Sequence, residues 1–332
     1  MSGAALPYHL RTHKAIERQL FIDLLALLED GLPIKAKFSH YTYYGFGAAY
    51  MEDFRLAQRY LGVRRMFSIE RNANSLARQQ FNKPASCIRF IPKESRDFVS
   101  EYKDYSPVIV WLDYTEPKWA EQLEEAATMA RQVAPNSILK ITLACRPSAL
   151  GRPPVGEDGS EGDIRKHRLE KMQQIFGDLM PVDAQLQDVD TKLFPFLMAR
   201  IVKASMQRVF SPQSDSECLP IALYTYDDGT PMLTVSLLIG LKKKLQRIRK
   251  KSRLDDWPFF SRNWDSVISI NTPDLTLKER IFITEHLPDS TPEEIQEKLG
   301  FHLADTAKES LKVMRNYIKY HHRLPFFLKV IS

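Results

Sequence analysis

Three short features in this sequence have the residue types and spacing to do chemistry. The first is Gly45-Phe46-Gly47, where two missing Cβ atoms let backbone approach a ligand closely. In doubly wound α/β folds such a turn ends the first strand, and an acid closing the second strand takes ribose hydroxyls. Glu70 stands in that place, closing Met66-Phe67-Ser68-Ile69 some 25 residues after Gly45. The third is Asp113, which ends the apolar run Val108 to Leu112. It could orient a substrate, or act as a general base if burial raised its pKa, or simply cap the following turn. A lone glycine pair is a weak signal, and turn glycines beside a surface glutamate would look the same.

The elements that must position these residues can be read from the apolar pattern. Residues 13–30 have helical periodicity through Ile16, Leu20, Leu24 and Leu27, with Gly31 as a stop. An extended segment, Ala36 to Tyr44, leads into the glycine turn, and a helix from about Tyr50 to Tyr60 follows. Strands at 65–69, 87–91, 108–112 and 137–144 alternate with helices at 73–81, 98–102 and 119–133. That alternation predicts a parallel sheet covered on both faces. Pro220 to Tyr226 and Met232 to Ile239 are then two strands around Asp227-Asp228-Gly229-Thr230, a hairpin signal. Between them and the fifth strand lie a Pro/Gly-rich loop, Pro147 to Asp163, and two helices at about 164–180 and 190–210. More helix is present there than one crossover needs, so an inserted cap or dimerisation element is expected.

Parallel units closed by an antiparallel hairpin form the strand plan of class I S-adenosylmethionine-dependent methyltransferases. The stretch Tyr44-Gly45-Phe46-Gly47-Ala48-Ala49-Tyr50-Met51-Glu52-Asp53-Phe54, with Ser68-Ile69-Glu70-Arg71, resembles a group of bacterial O-methyltransferase-like proteins. The resemblance runs over about residues 8–145 and includes Tyr8-His9-Leu10-Arg11 and Ala15-Ile16-Glu17-Arg18. It implies S-adenosyl-L-methionine as cofactor, with Tyr44, Gly45, Phe46, Gly47, Glu70 and Arg71 around it and Glu70 on the ribose. Glu94 and Ser95, after the third strand, are the adenine candidates, and Asp113 stands at the reacting centre. The sequence departs from the general pattern at two places: Tyr43 replaces an acid, and Ala48 replaces a third glycine. Neither the Asp/Asn-Pro-Pro-aromatic signature of amino-methylating enzymes nor a Pro-Cys nucleophile is present.

The 332 residues have 44% hydrophobic and 27% charged composition, which is ordinary for a globular chain of about two domains. Cys87, Cys145 and Cys218 are widely spaced, so buried filler in a reducing cytoplasm is expected rather than a disulfide or zinc framework. His9, His13 and His40 show no metal-ligand spacing, and no apolar run is long enough to cross a bilayer. No metal and no membrane association are therefore expected.

The net charge of +6 comes from one place. Lys242 to Arg253 carries eight basic residues and no acid, so +6 less eight leaves −2 for the rest. Such a run, which includes Lys242, Lys243, Lys244 and Arg247, is either a solvated helix face or a polyanion contact. Beyond it, residues 274–323 read as three helices, two opened by capping boxes at Thr276/Glu279 and Thr291/Glu294. The third aligns Lys308, Lys312, Arg315, Lys319 and Arg323 opposite Leu311, Met314 and Ile318. Ser290 to Gly300 resembles the first helix of a helix-turn-helix unit, and a basic third helix would suit a major groove. A protein-partner or homodimer contact is the other reading. The expected organisation is a helical extension over 1–34, a methyltransferase-like α/β domain over 35–241 with an insertion at 147–210, a basic linker over 242–273, and a helix-turn-helix-like domain over 274–332. The expected function is an S-adenosylmethionine-dependent methyltransferase of unassigned acceptor. The alternative is a weakly catalytic or non-catalytic relative that binds nucleic acid or a partner through its basic C-terminal region.

Overall fold

The computed structural model describes residues 11–33, 36–153, 161–211 and 213–325. Tyr8 to Leu10 and residues 154–160 of the Pro/Gly-rich loop lie outside them.

One eight-stranded sheet organises the chain. Its strands are β1 (Thr42–Gly45), β2 (Arg65–Ile69), β3 (Ile88–Ile91), β4 (Val108–Asp113), β5 (Ser137–Ala144), β6 (Ser216–Asp227), β7 (Pro231–Leu241) and β8 (Ile268–Ser269). They lie in the order β3-β2-β1-β4-β5-β7-β6-β8. β1 to β5 run parallel, and β7 inserts antiparallel between β5 and β6. The hairpin expected from Asp227 to Thr230 is therefore present. The two-residue β8, parallel to β6, is too short to leave a sequence signal.

Both faces of this sheet are covered, as parallel strands require. Alternation along β4 sends Ile109 and Trp111 to one apolar layer and Val108, Val110 and Leu112 to the other. The first layer is closed by α1 (Thr12–Gly31), α2 (Glu52–Leu61), α8 (Lys242–Lys251) and the C-terminal helices α9 (Leu277–Glu285), α10 (Pro292–Leu299) and α11 (Ala307–Tyr320). The second is closed mainly by α4 (Ser95–Ser100), α5 (Trp119–Gln132) and α7 (Phe194–Val209), with α6 (Glu161–Phe176) packed outside. α3 (Ala73–Phe81) links β2 to β3.

Several expectations need correction. Within the segment read as a separate helical extension, α1 is part of the core: it buries Ile16, Leu20, Leu24 and Leu28 completely against the sheet. The extended segment before the glycine turn contains a 3-10 turn at Phe38–His40, and strand begins only at Thr42. The helix expected over 98–102 sits earlier, at 95–100. Of the two helices read as a cap, α7 is the crossover helix itself, because its apolar face (Phe194, Leu197, Met198, Ile201, Val202) completes the second layer.

The basic segment is not a linker. Leu245 and Ile248 anchor α8 beneath α1, and the Ser252 hydroxyl donates to the Leu28 carbonyl at 3.2 Å. Gly31 permits that approach, since a Cβ there would stand 2.2 Å from Ser252 Oγ and 2.5 Å from the Ile248 carbonyl oxygen. It is the last residue of α1 and a contact residue as much as a stop.

In the C-terminal segment both capping boxes form, with Pro292 in the first turn and Gly300 at φ +76° as the C-cap of α10. These helices share the apolar layer of α1 through Ile283, Ile295, Met314 and Tyr317.

Candidate functional site

The strand order with its inserted antiparallel strand places the glycine turn, Glu70 and Asp113 along one edge of the sheet, where β1, β2 and β4 end. Gly47 is needed there for packing. A Cβ on it would lie 2.5 Å from Ser68 Oγ and 3.1 Å from Met51 Cε. Its N–H donates to Ser68 Oγ at 3.1 Å, and the Ser68 hydroxyl donates to Gln79 Oε1 at 2.7 Å. The Gln79 amide in turn reaches Glu70 Oε2 at 3.3 Å, while the Asn72 N–H donates to Glu70 Oε1 at 2.8 Å. The glycine turn and the acid at the end of β2 are thus wired together through one buried chain. The turn itself is strained: Ala48 has φ +41° and Met51 φ +48°, conformations that favour glycine.

Around this edge is a cleft of about 360 Å³. Of the residues expected at a cofactor, Phe46, Glu70, Arg71, Glu94, Ser95 and Asp113 line it together. Arg71 and Glu94 form an exposed ion pair at 2.5 Å that joins the ends of β2 and β3. Gly45 and Gly47 shape the turn but do not line the cleft. Tyr44 points away from it. Strand alternation sends its ring to the opposite layer, stacked on Phe67 with centroids 5.2 Å apart, and its hydroxyl donates to Asp104 at 3.2 Å. Tyr43, in the place of an acid, faces α1 and α2, and its hydroxyl donates to Asp53 Oδ2 at 2.7 Å. Burial pushes the Asp53 carboxyl above its usual range, although Arg18 opposes this.

Asp113 differs most from expectation. Its Oδ2 is 2.8 Å from the Lys14 ammonium, both side chains being largely buried. Burial alone would raise the carboxyl, but Lys14 and Arg18, with a smaller contribution from Lys140, hold it below its usual range. A base poised by burial is therefore not what this position provides. It is a fixed anion whose other oxygen, Oδ1, is buried with no hydrogen-bond partner among the described residues.

The cations come from α1 and β5. Lys14, Glu17 and Arg18 share one face of α1, turned toward the sheet. Glu17 Oε1 meets the wholly buried Lys140 Nζ at 2.6 Å, and that ammonium also lies 3.4 Å from the centroid of the Trp111 ring. The N-terminus of α1 is in turn held by the hairpin. Asp228 accepts from the backbone N–H groups of His13 at 3.2 Å and Lys14 at 2.8 Å.

Tyr114 and Thr115, which follow Asp113, and Gln122 and Glu125 on α5 also line the cleft. Tyr114 donates to Glu125 at 2.5 Å and packs edge-on against Phe46, while Thr115 extends the same wall. Gln122, only 4% exposed, donates its amide to the Glu116 carbonyl at 2.7 Å. Its Oε1 has no partner among the described residues. For Gln122 and Glu125 the only signal was a polar side at successive turns of α5.

The sheet order β3-β2-β1-β4-β5-β7-β6 with an acid-closed β2 defines a Rossmann-like class I methyltransferase fold. The chain belongs to the family described as "Putative O-methyltransferase", whose model matches residues 6–332. No curated protein matches the chain. Among solved structures it is similar to the N-methyltransferase NodS from Bradyrhizobium japonicum, at 11% identity over 68% of this chain and 97% of that one, TM-score 0.35. It is similar to Trm1 from Pyrococcus horikoshii, at 14% identity over 70% of this chain and 57% of that one, TM-score 0.41. A third is an rRNA methylase from Streptococcus thermophilus, at 10% identity over 67% and 95%, TM-score 0.34.

Among the described residues no helix is long and apolar enough to cross a membrane, and no cluster of three or more His, Cys, Asp or Glu side chains could hold a metal ion.

Proposed function

We propose that the chain is a methyltransferase that binds S-adenosyl-L-methionine in the cleft beside Glu70. The observation that carries this is the carboxylate of Glu70, held by the Asn72 N–H and the Gln79 amide in the wall of the cleft where β1, β2 and β4 end. A carboxylate fixed at the end of the second strand suits the paired hydroxyls of a ribose. The charge of the cleft points the same way. Glu70, Glu94, Asp113, Glu116, Glu121 and Glu125 line the cleft against Arg71, Arg78, Lys93 and Lys118. A sulfonium cation suits that balance. A pyrophosphate does not, and the helix end that could hold one already carries Glu52 and Asp53 in its first turn.

In this reading Glu70 accepts from the ribose hydroxyls, and Glu94, Ser95 and Glu125 stand on the adenine side of the cleft. When bound, the cofactor supplies the methyl group. Asp113, kept ionised by Lys14, orients the acceptor or the cofactor's ammonium and takes no proton. The protein's part in the transfer is alignment of the two reacting centres.

Calorimetric titration with S-adenosyl-L-methionine and S-adenosyl-L-homocysteine tests this. Saturable binding weakened at least tenfold by Glu70→Gln is expected. Absence of binding at millimolar ligand, or binding indifferent to that substitution, overturns it.

A further inference from the structure

The basic helix α8 is absorbed by nothing in the cleft. It follows β7, which runs antiparallel to β5, and Ser216 and Leu241 are paired where the hairpin ends. That is the edge where β5 begins, opposite the edge where β1, β2 and β4 end. α1 spans the distance between them. Its Lys14 meets Asp113 at the cleft, and its Leu28 meets Ser252 beside α8. Fourteen residues at 1.5 Å each separate the two by about 21 Å.

On α8 the buried residues Leu245, Ile248 and Ser252 define the inner face. At 100° per residue, Lys243, Lys244, Arg247, Lys250 and Lys251 fall within an arc of about 120° on the opposite face. All five are exposed, and among the described residues no carboxylate pairs with any of them. The neighbouring cations differ: Arg249 pairs with Asp255 at 2.5 Å and Arg253 with Asp256 at 2.9 Å. Lys242 lies off the arc and is half-buried. On α11, Lys308 and Lys312 are exposed, but Arg315 pairs with Glu293, Arg323 with Asp23 at 2.7 Å, and Lys319 lies over the Phe259 ring. The α11 stripe is thus largely neutralised or occupied, and the α8 arc is not.

We propose that this arc is a docking surface for the phosphate backbone of double-stranded DNA, separate from the cleft. From Lys243 to Lys251 it extends about 12 Å, as far as three or four phosphates of one strand. A helix is about as wide as the major groove of B-form DNA. The arc has no aromatic side chain on which unpaired bases could stack, which argues against single strands. The only apolar residues of α8 are buried, so it has nothing to insert into a lipid surface. The arc has one arginine and no Asn or Gln, so its contacts are mostly to phosphates and binding is sequence-tolerant and salt-sensitive.

The 332-residue chain is titrated against a 20-base-pair DNA duplex, single-stranded RNA of equal length, and phosphatidylserine vesicles from 50 to 200 mM salt. The comparison is the triple variant Lys243→Gln/Arg247→Gln/Lys250→Gln, whose exposed sites leave the unfolding midpoint unchanged. Expected is duplex binding that falls steeply with salt and whose log–log slope is shallower by about 2–3 in the variant. Three results each overturn the proposal: no duplex binding at 50 mM salt, a slope unchanged by the triple substitution, or tighter binding of RNA or vesicles than of the duplex.

Discussion

The Lys14 ammonium lies 2.8 Å from the Asp113 carboxylate, across 99 residues of sequence. Removing one member of a buried pair leaves an uncompensated charge, which costs about 3–5 kcal/mol. Lys14→Met is expected to lose stability on that scale in denaturant titration and to move the Asp113 carboxyl upward. Lys14→Met/Asp113→Asn should recover much of the loss, since neither partner is then an unpaired ion. Additive losses would show that the two do not act as a unit.

Lys140 is a second buried charge with a pH signature. Burial lowers its ammonium to about 8 from 10.5, although Glu17 opposes this. Between those values the unfolded chain holds a proton that the folded chain has released, so this group's contribution to stability rises with pH. Unfolding free energies of the wild type relative to Glu17→Gln/Lys140→Met should therefore increase from pH 8 to pH 10. A flat or falling difference would contradict the assignment.

Ala48 holds φ +41° where a glycine would rest without strain. The left-handed conformation costs an alanine about 1–2 kcal/mol, and glycine's greater unfolded-state freedom returns about 0.5–1 kcal/mol of that. Ala48→Gly is therefore expected to stabilise the fold by roughly 0.5–1 kcal/mol, measured as a raised denaturation midpoint at unchanged m-value. A destabilised variant would mean that the alanine methyl makes a packing contact worth more than the strain.

Gly31→Ala should do the reverse. The added methyl meets the Ile248 carbonyl oxygen as well as the Ser252 hydroxyl, so α1 and α8 must move apart at a cost of about 1–3 kcal/mol. Combining it with Ser252→Ala should not restore stability, because the backbone contact remains. Full rescue would assign the clash to the hydroxyl alone.

The sheet was readable because its signals are local. Apolar runs closed by Glu70 and Asp113, and the Asp227–Thr230 turn, carry strand order once the hairpin is recognised. What surrounds Asp113 was not readable, because it depends on partners far away in sequence. Lys14, Glu17 and Arg18 look like the polar side of an ordinary helix until α1 is laid on the sheet. Lys140 alone left a trace, as a charge inside the apolar run Ser137 to Ala144. Tyr44 was misplaced for a simpler reason. Motif spacing gives proximity along the chain, while strand alternation decides which face a side chain enters, and Tyr43 and Tyr44 take opposite faces. Helix α8 followed the same logic: Leu245 and Ile248 stand out as apolar among its bases, but only the fold shows that they fix it to the core.

Asp228 makes the assembly of this site late. The carboxylate that caps α1 lies 214 residues beyond Lys14. At a synthesis rate of about 5–20 residues per second, roughly 10–40 s pass between the emergence of the two. Through that interval α1 has neither its capping acid nor the β6–β7 hairpin to cover its charged face. A ribosome-bound chain that stops short of the hairpin turn thus carries the glycine loop, Glu70 and Asp113 but no closed site, and the late-made β6–β7 hairpin seals α1.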